Sequence, residues 1–336
     1  MEFGKLPGQP LYFYVLRLEK GQLPGRLMRI VRGLVNARPA DRGCVVAIGT
    51  FDGMHLGHQA IFARVVENAR VLGVPPAVLT FEPSPREYLD PDNAPPRLMR
   101  LRDKASALGR YGIGRMVLLR FDEQLRSWGG EAFIERVLHD GLAVRHIVVG
   151  AGFTFGRRRS GDIELLRQFG ALHGFGVEVV EPIELDGERV SSTRVREALV
   201  TGQMDRVRRL LGRDFRMSGR VIRGRRLGRT LGYATANMRL HRRVSPVSGV
   251  FAVRVHGAGE GPLPGVASVG VRPTLGGGEP LLEAHVFDFG GDLYGRYLQV
   301  DFVEKLRDEV RFPSVEAMIL RIHADASAAR QILTAG

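Results

Sequence analysis

The stretch Gly49-Thr50-Phe51-Asp52-Gly53-Met54-His55-Leu56-Gly57-His58 separates two segments of different pattern. The segment before it, residues 44–48, is short, apolar and rich in valine, which is typical of a strand buried on both faces of a parallel sheet. The segment after it carries apolar residues at helical spacing and stops at Gly73. A buried strand followed directly by a helix predicts an alternating α/β domain.

The turn between this strand and this helix has the composition of a phosphate-binding site. The start of a helix presents free backbone N–H groups, which attract anions. Gly53 and Gly57 let the backbone approach a phosphate closely, and His55 and His58 would flank the same phosphate. Histidine pairs on helices are also common as surface residues. Strand, glycines and helix start agree here, so we interpret the motif as a nucleotide site.

Composition limits the class of protein. The 336 residues are enough for two domains, and 44% hydrophobic with 25% charged residues is typical of a globular protein. Because no apolar run is long enough to cross a bilayer, we expect a soluble protein without a membrane partner, and the scarcity of cysteine fits a cytoplasmic location. Cys44 is the only cysteine, which excludes an internal disulfide and a cysteine zinc site. The oligomeric state is not predicted.

The net charge of +13, carried almost entirely by arginine, raises the question of a nucleic-acid partner. The arginines are spread along the chain and only 7% of the residues are aromatic, which argues against nucleic acid. Arginine also suits bidentate binding of phosphates on small nucleotides. Residues 1–27 contain an apolar stretch too short for a secretory signal. We expect them to be an N-terminal extension, with translation starting at Met28.

The remaining first half alternates between strand and helix patterns, which predicts a parallel sheet with helices on both faces and a ligand crevice at the carboxyl ends of the strands. The predicted strands lie near residues 77–81, 116–121, 147–149 and 177–180. The predicted helices lie near residues 101–111, 131–138 and 163–172.

Two motifs follow predicted strands at that edge. Residues 80–85 read T-F-E-P-S-P, whose prolines predict an extended loop that forms a wall of the crevice. Residues 149–156 read V-G-A-G-F-T-F-G and join backbone freedom to the rings of Phe153 and Phe155, which suit stacking on a planar ring system. A glycine-rich turn packed by ordinary core phenylalanines is an equally good interpretation of the second motif.

A third motif, Ser191-Ser192-Thr193-Arg194-Val195-Arg196, opens another predicted helix, with Ser192 as its N-cap. Arg194 and Arg196 stand in the first turn, where the helix dipole disfavours cations. This conflict indicates an anion at the helix start. The hydroxyl and guanidinium groups would hold the triphosphate of ATP.

The second half changes its rhythm after a predicted helix over residues 204–211 that ends at Gly212. Short strand patterns separated by Gly and Pro predict a small antiparallel barrel. They lie near residues 216–222, 250–255, 266–269, 281–289 and 297–303. A terminal helix over about residues 314–333 would cover one opening, with inward-facing residues Val315, Met318, Ile319 and Ile322.

Two segments of this half carry oxygen ligands at alternating positions. Residues 224–237 form a glycine- and arginine-rich loop that ends in Thr235 and Asn237, whose side chains would reach one Mg²⁺ ion from the same side of a strand. Further on, Glu283, His285 and Phe287 share one face of a predicted strand. Glu283 is a candidate general base, or else an exposed strand residue; its pairing with Thr235 and Asn237 favours the base.

Taken in order, these motifs resemble those of the bacterial bifunctional riboflavin kinase and FAD synthetase family. The resemblance spans residues 28–330 and rests on G-x-F-D-G-x-H-x-G-H, F-x-P-x-P, S-S-T-R-x-R, L-G-x-x-T-A-N, R-P-T and E-x-H-x-F-D-F. It implies a Rossmann-like nucleotidyltransferase domain over residues 28–211 and a β-barrel riboflavin kinase domain with a terminal helix over residues 214–336.

The resemblance implies that the chain phosphorylates riboflavin to FMN with Mg-ATP, then joins FMN to AMP from a second ATP to give FAD. Glu283 would take the hydroxyl proton, and His55 and His58 would bind phosphates. Thr235 and Asn237 would hold Mg²⁺. ATP and phosphate binding is assigned to Gly49, Phe51, Asp52, Gly53, Gly57, Ser191, Ser192, Thr193, Arg194, Arg196, Gly228 and Arg229. Flavin binding is assigned to Phe81, Pro83, Pro85, Gly152, Phe153, Phe155, Arg307 and Asp308.

Three positions depart from the family pattern. Gly152 replaces the usual Asn or Asp, and Ser84 replaces a common His. Ala234 replaces a proline, which increases the backbone entropy of its loop and costs roughly half to one kcal/mol of stability. A riboflavin kinase with a degenerate adenylyltransferase domain is therefore an alternative to the bifunctional enzyme. Gly152 is the residue whose replacement would distinguish these two hypotheses. A flavin-sensing protein without turnover and a basic RNA-binding protein with salt-sensitive affinity are further alternatives.

Overall fold

The computed structural model of the chain describes residues 28–223, 235–271 and 280–334. The chain divides into two compact units. The first unit comprises Met1–Phe51, Gly57–Asn93 and Lys104–Ile183, and the second comprises Asp52–Leu56, Ala94–Asp103 and Glu184–Gly336. The predicted extension over residues 1–27 lies outside the described residues. The predicted domain boundaries near residues 211–214 stay a prediction.

The first unit is built on a six-stranded parallel sheet with strand order β1-β4-β3-β2-β5-β6. The strands are β1 Arg29–Arg32, β2 Val45–Ile48, β3 Pro76–Glu82, β4 Arg115–Arg120, β5 His146–Gly150 and β6 Gly176–Val180. β2 is buried along its whole length, as its apolar run predicts. The predicted parallel sheet is confirmed. The sequence analysis missed β1, because its four residues are two arginines around Ile-Val.

The helices of this part of the chain are α1 Leu56–Leu72, α2 Pro85–Leu89, α3 Leu101–Arg110, α4 Glu123–Ser127, α5 Gly130–Phe133 and α6 Ile163–His173. A π-helical turn, Ile134–His139, continues α5. The extended loop predicted after β3 is wrong at its end, because Pro85 begins α2. Ser84 caps this helix by accepting a hydrogen bond from the Glu87 N–H, while the Glu87 carboxylate accepts one from the Ser84 N–H.

The strand order fixes where a ligand can enter the first unit. From β2 the chain adds β3 and β4 on one side of the sheet, and then returns to add β5 and β6 on the other. The direction therefore reverses between β2 and β5, and ligands of open α/β sheets bind at the carboxyl ends of the strands at such a point. Gly49 follows β2 and Gly150 ends β5, so both predicted motifs begin at this crevice.

The second unit contains a closed antiparallel barrel of six strands, in the order β10-β13-β12-β11-β14-β9, which confirms the predicted barrel. The strands are β9 Phe215–Ile222, β10 Thr235–Arg239, β11 Gly249–His256, β12 Leu263–Val271, β13 Pro280–Val286 and β14 Tyr297–Arg307. A short hairpin precedes the barrel, β7 Glu184–Leu185 with β8 Glu188–Arg189, and two helices follow it, α7 Ser192–Val200 and α8 Met204–Leu211.

The terminal helix, α9 Val315–Thr334, uses a different face from the predicted one. Its buried residues are Asp325, Ala326 and Ala329, and the two alanines pack against the outside of β11 and β12. Val315 is 56% exposed, so the inward orientation predicted for it is wrong. Met318, Ile319 and Ile322 are only half-buried. Small residues let the helix approach the strands closely, which decides the contact face. No helix of the described residues is long and apolar enough to cross a membrane.

Candidate active sites

Phe51 shapes the first part of the turn after β2. Its ring is 2% exposed and lies 5.2 Å from the His58 ring in an edge contact and 5.0 Å from the Phe62 ring, measured between ring centroids. A Cβ atom on Gly49 would lie 3.0 Å from the tip of the Phe51 ring. Glycine at position 49 therefore makes room for this ring. The ring orients His58 in the first turn of α1 and is itself turned away from solvent.

The Asp52 carboxylate accepts three hydrogen bonds in the turn. Its Oδ2 accepts from the Leu98 N–H (2.9 Å) and from Arg196 Nη2 (2.5 Å), and its Oδ1 accepts from the Met99 N–H (2.9 Å). A carboxylate that accepts several hydrogen bonds is held firmly in one position. Its predicted role in ATP binding stays a prediction. Within the protein it joins three separate stretches of chain.

Gly53 lies where the backbone of this turn passes close to the Leu98 side chain. Its φ is +85°, and an added Cβ atom would come within 2.6 Å of Leu98 Cδ1. The Gly53 carbonyl accepts a hydrogen bond from Arg213 Nη2 (2.9 Å). Any other residue would be strained by both the backbone angle and the contact. Met54, which follows it, is fully buried and also has a positive φ, +50°.

His55 is 7% exposed, immediately before α1. Burial, followed by the positive charges of Arg189 and Arg196, lowers the pKa of His55 from 6.5 to about 4. The imidazole is therefore neutral at physiological pH. A neutral imidazole can donate one N–H hydrogen bond to a phosphate oxygen. The positive charge near His55 comes from Arg189 and Arg196.

The start of α7 differs from the prediction in its cap. Ser191 is the N-cap and its hydroxyl accepts from the Arg194 N–H (3.3 Å), so the assignment of this cap to Ser192 is wrong. Ser192 is the first helical residue and its hydroxyl donates to the Asp52 carbonyl (2.8 Å). Thr193 is exposed. Either serine fits the capping preference, and the Asp52 contact decides between them.

Both arginines of the first turn of α7 already contact carboxylates. Arg196 donates to Asp52 and, through Nε, to the Pro96 carbonyl (2.7 Å). Arg194 forms an ion pair with Glu188, which also accepts from Arg206 (2.8 Å). The sequence predicts negative charge beside these cations. The carboxylates of Asp52 and Glu188 supply part of that negative charge. A triphosphate at this helix start would add to that arrangement.

The candidate flavin contacts of the first unit divide into packed and exposed residues. Phe153 and Phe155 stack on each other at 5.5 Å, and Phe155 also lies 5.4 Å from Phe133 in the core of the sheet. Gly152 is exposed with a φ of +78°, and nothing lies within 4 Å of an added Cβ atom. Phe81 makes an edge contact with Phe121 at 6.0 Å. Pro83 follows a cis bond and Pro85 begins α2. Flavin binding by these residues stays a prediction.

The barrel brings the predicted kinase residues onto one face. β10 pairs with β13 in the register Asn237 to Glu283 and Thr235 to His285. Directly opposite residues of antiparallel strands point to the same side, and so do alternate residues of one strand. All four side chains therefore share one face. β12 adds Ser268, which lies opposite Glu283. His285 and Ser268 were not among the predicted site residues, although period-two spacing from Glu283 already indicates the first.

Arg307 and Asp308 hold protein partners in this structure. Arg307 donates to buried Asp325 of α9 through Nη2 (2.7 Å) and Nε (2.9 Å), and Lys305 pairs with Asp308 at 2.5 Å. Arg307 therefore joins the end of β14 to the terminal helix, and its flavin contact stays a prediction. Gly228, Arg229, Ala234 and the R-P-T segment lie outside the described residues.

Comparison with known proteins covers both parts of the chain. Two family models match it, FAD synthetase over residues 37–194 and riboflavin kinase over residues 211–333. A bifunctional riboflavin kinase/FMN adenylyltransferase of Pseudomonas fluorescens is 51% identical over 306 residues, which cover 91% of this chain and 98% of that protein. The protein of the same name from Escherichia coli strain K12 is 43% identical over 305 residues, covering 90% of this chain and 97% of its own length.

A similar solved structure supports the same fold. A crystal structure named as a macrolide-efflux protein from Streptococcus pneumoniae has a TM-score of 0.78 and 30% sequence identity, and the match covers 90% of this chain and 99% of that chain. The likeness concerns the fold over 90% of this chain. Together with the two family matches and the identities of the curated relatives, it supports one assignment: the chain belongs to the bifunctional riboflavin kinase/FMN adenylyltransferase family.

Proposed function

We propose that this chain makes FMN and FAD by two successive reactions. It transfers the γ-phosphoryl group of ATP to riboflavin, and then transfers AMP from a second ATP to FMN with release of pyrophosphate. The observation that carries the first reaction is the cross-strand pair of Glu283 and Asn237, with Thr235 on the same barrel face. The second reaction is supported by the glycine turn after β2 and the serine-rich start of α7.

In the kinase reaction Glu283 acts as the general base. Its carboxylate takes the proton of the ribityl 5'-hydroxyl as that oxygen attacks the γ-phosphorus of ATP. The bond between the γ-phosphorus and the bridging oxygen breaks, and ADP leaves. Phosphoryl transfer depends mainly on positioning and on charge stabilisation. A rigid strand face suits this task, because the barrel strands fix the spacing between base and phosphate ligands.

The side chains around Glu283 fit a magnesium ion. Mg²⁺ prefers oxygen ligands and keeps several waters and substrate phosphates, so one or two protein ligands suffice. Thr235 and Asn237 present a hydroxyl and an amide on the same face. We propose that these two residues hold Mg²⁺, whose chemistry is to neutralise charge on the ATP phosphates.

In the adenylyl-transfer reaction a phosphate oxygen of FMN attacks the α-phosphorus of ATP. The bond from the α-phosphorus to the bridging oxygen breaks, and pyrophosphate leaves. We propose that His55 contacts the phosphates as a neutral imidazole and that arginine supplies the positive charge. His58, held by Phe51, stands in the first turn of the same helix.

A time course with riboflavin, ATP and Mg²⁺ tests both activities together. We expect FMN to appear first and FAD to follow, as separated by chromatography. FMN without any FAD contradicts the second reaction and favours the kinase-only alternative. Flavin binding without ATP consumption contradicts both reactions.

Replacing the proposed base separates the two reactions. We expect Glu283→Gln to lower kcat for FMN formation by roughly 100- to 10,000-fold, because the amide cannot accept the hydroxyl proton. Supplied FMN should still be converted to FAD at a rate within about twofold of wild type. Glu304→Gln, an exposed glutamate of the same barrel, is the matched control. Normal FMN formation by Glu283→Gln excludes this residue as the base.

Gly152 offers a test of the departure from the family pattern. Asn tolerates a positive φ better than most residues, and an added side chain at this position meets open space. If a lost polar contact weakens FMN binding, Gly152→Asn lowers the KM for FMN by about two- to tenfold, the value of one hydrogen bond. Gly152→Ala adds a side chain without a polar group and should give no gain. Equal KM values for the two variants rule out the lost contact.

Burial of neutral His55 predicts a pH-dependent loss of stability. The pKa of His55 is about 4 in the folded protein and 6.5 in the unfolded chain, so the unfolded chain gains a proton first as the pH falls. The free energy of unfolding should fall between pH 6.5 and pH 4, by up to about 3 kcal/mol from this residue. Urea unfolding at several pH values checks this. His55→Gln should flatten the dependence, and an unchanged slope in this variant contradicts the prediction.

A further inference from the structure

Arg242 is an unusual arginine of the second unit. It follows β10 and is 6% exposed. Its Nη1 donates to the Arg97 carbonyl (2.6 Å) and its Nη2 to the Leu98 carbonyl (3.3 Å). Burial lowers the pKa of Arg242 to about 10, so the guanidinium stays charged at neutral pH. A buried cation is expensive to keep, and its direct hydrogen bonds here go to neutral carbonyls.

The segment that Arg242 holds is also held from its other side by Asp52. The Leu98 and Met99 N–H groups donate to the Asp52 carboxylate at 2.9 Å each. In the two consecutive peptide groups of residues 97–99, the carbonyls therefore accept hydrogen bonds from Arg242. The N–H groups of the same peptides donate to Asp52. Arg196, which also donates to Asp52, reaches the Pro96 carbonyl as well. Residues 96–99 thus lie between two cations and one anion.

This arrangement fixes the turn that carries His55. Leu98 packs against Gly53 so closely that a Cβ atom there would lie 2.6 Å from its Cδ1. A shift of Leu98 would therefore move Gly53, and through the chain Met54 and His55. Arg213 supports the turn a second time through the Gly53 carbonyl at 2.9 Å. Arg213 and Arg242 both belong to the region matched by the riboflavin kinase model, whereas the turn belongs to the region matched by the FAD synthetase model.

The cost of burying Arg242 argues against a simple contribution to stability. Replacing a whole buried ion pair by well-packed apolar residues is often neutral or stabilising, so a buried charge is by itself weak evidence for a role in stability. An arginine fork, in contrast, sets the direction of two acceptors at once, which an apolar residue cannot do. The side chain is suited to defining a geometry more than to adding stability.

We propose that Arg242 is a positioning residue for adenylyl transfer: from the kinase region it holds residues 97–98, and through Asp52 and Gly53 it sets the position of the His55 turn. This role rests on the proposed function for its reaction. Its physical basis is independent of that function, since it consists of hydrogen bonds between described residues.

The test compares Arg242→Met with Arg243→Met, the same change at an exposed neighbouring position. Both reactions are measured in the full chain, FMN formation from riboflavin and FAD formation from supplied FMN. We expect Arg242→Met to lower kcat for FAD formation by about 10- to 100-fold, because small displacements of catalytic groups are costly. FMN formation should stay within about twofold of wild type.

The kinase rate separates positioning from loss of fold. Arg242 lies in the kinase region, so a folding defect would reduce FMN formation as well. A parallel loss of both rates, or no loss of either, overturns the proposal. A matching loss in Arg243→Met overturns it too, because the effect would then be one of net charge.

Two further measurements test the proposal beyond the rate of the single variant: a digestion that reports on local structure, and a double-mutant comparison. Limited trypsin digestion followed by mass spectrometry should show faster cleavage after Arg97 and Arg100 in Arg242→Met than in wild type; equal cleavage contradicts the proposal.

Asp52→Asn combined with Arg242→Met should reduce FAD formation little more than either single change, because both act on one segment. Multiplying effects contradict the proposal. Wild-type protein that makes no FAD would refute the proposed second reaction, and the digestion would still report on Arg242.

Discussion

The turn after β2 depends on the hydrogen bonds that the Asp52 carboxylate accepts. Two backbone N–H groups and one guanidinium donate to it, and these donors come from residues 98–99 and from α7. A carboxylate with only 16% of its side chain exposed needs such donors to offset lost hydration. Its position in turn fixes the direction of the Gly53 backbone. Three donors from two separate stretches of chain thus hold the residue that begins the segment leading to His55.

The same turn contains backbone that ordinary sequence preferences oppose. Phe51 and Met54 both have positive φ values, +46° and +50°, and both side chains are buried. Positive φ costs roughly 1 to 3 kcal/mol at a residue other than glycine and persists only where surrounding contacts enforce it. The enforcing contacts are visible here: Phe51 packs on His58 and Phe62, and Gly53 is pressed against Leu98. Strain and its compensation thus lie at the candidate site, where local rules are most often broken.

Local patterns predicted the fold well, because periodicity and glycine positions are local quantities. The α8 helix agrees with its prediction over residues 204–211, with Gly212 in the left-handed conformation at its end. Contacts distant in sequence carry no such signal. Arg242 and Arg97 are separated by 145 positions, and neither has a periodic neighbour that indicates the other. The same reason explains why Ser191, and not Ser192, caps α7: the choice depends on Asp52, far away in the chain.

The register of β10 against β13 is a constraint that both proposed reactions share. Asn237 lies opposite Glu283, and Arg242 follows the end of β10 by three residues. A slip of one residue would turn Asn237 and Thr235 to the interior of the barrel, because side chains alternate along a strand. The same slip would displace Arg242 by about 3.3 Å, more than its hydrogen bonds to residues 97–98 tolerate. One strand register therefore sets the positions of the proposed Mg²⁺ ligands and of Arg242 together.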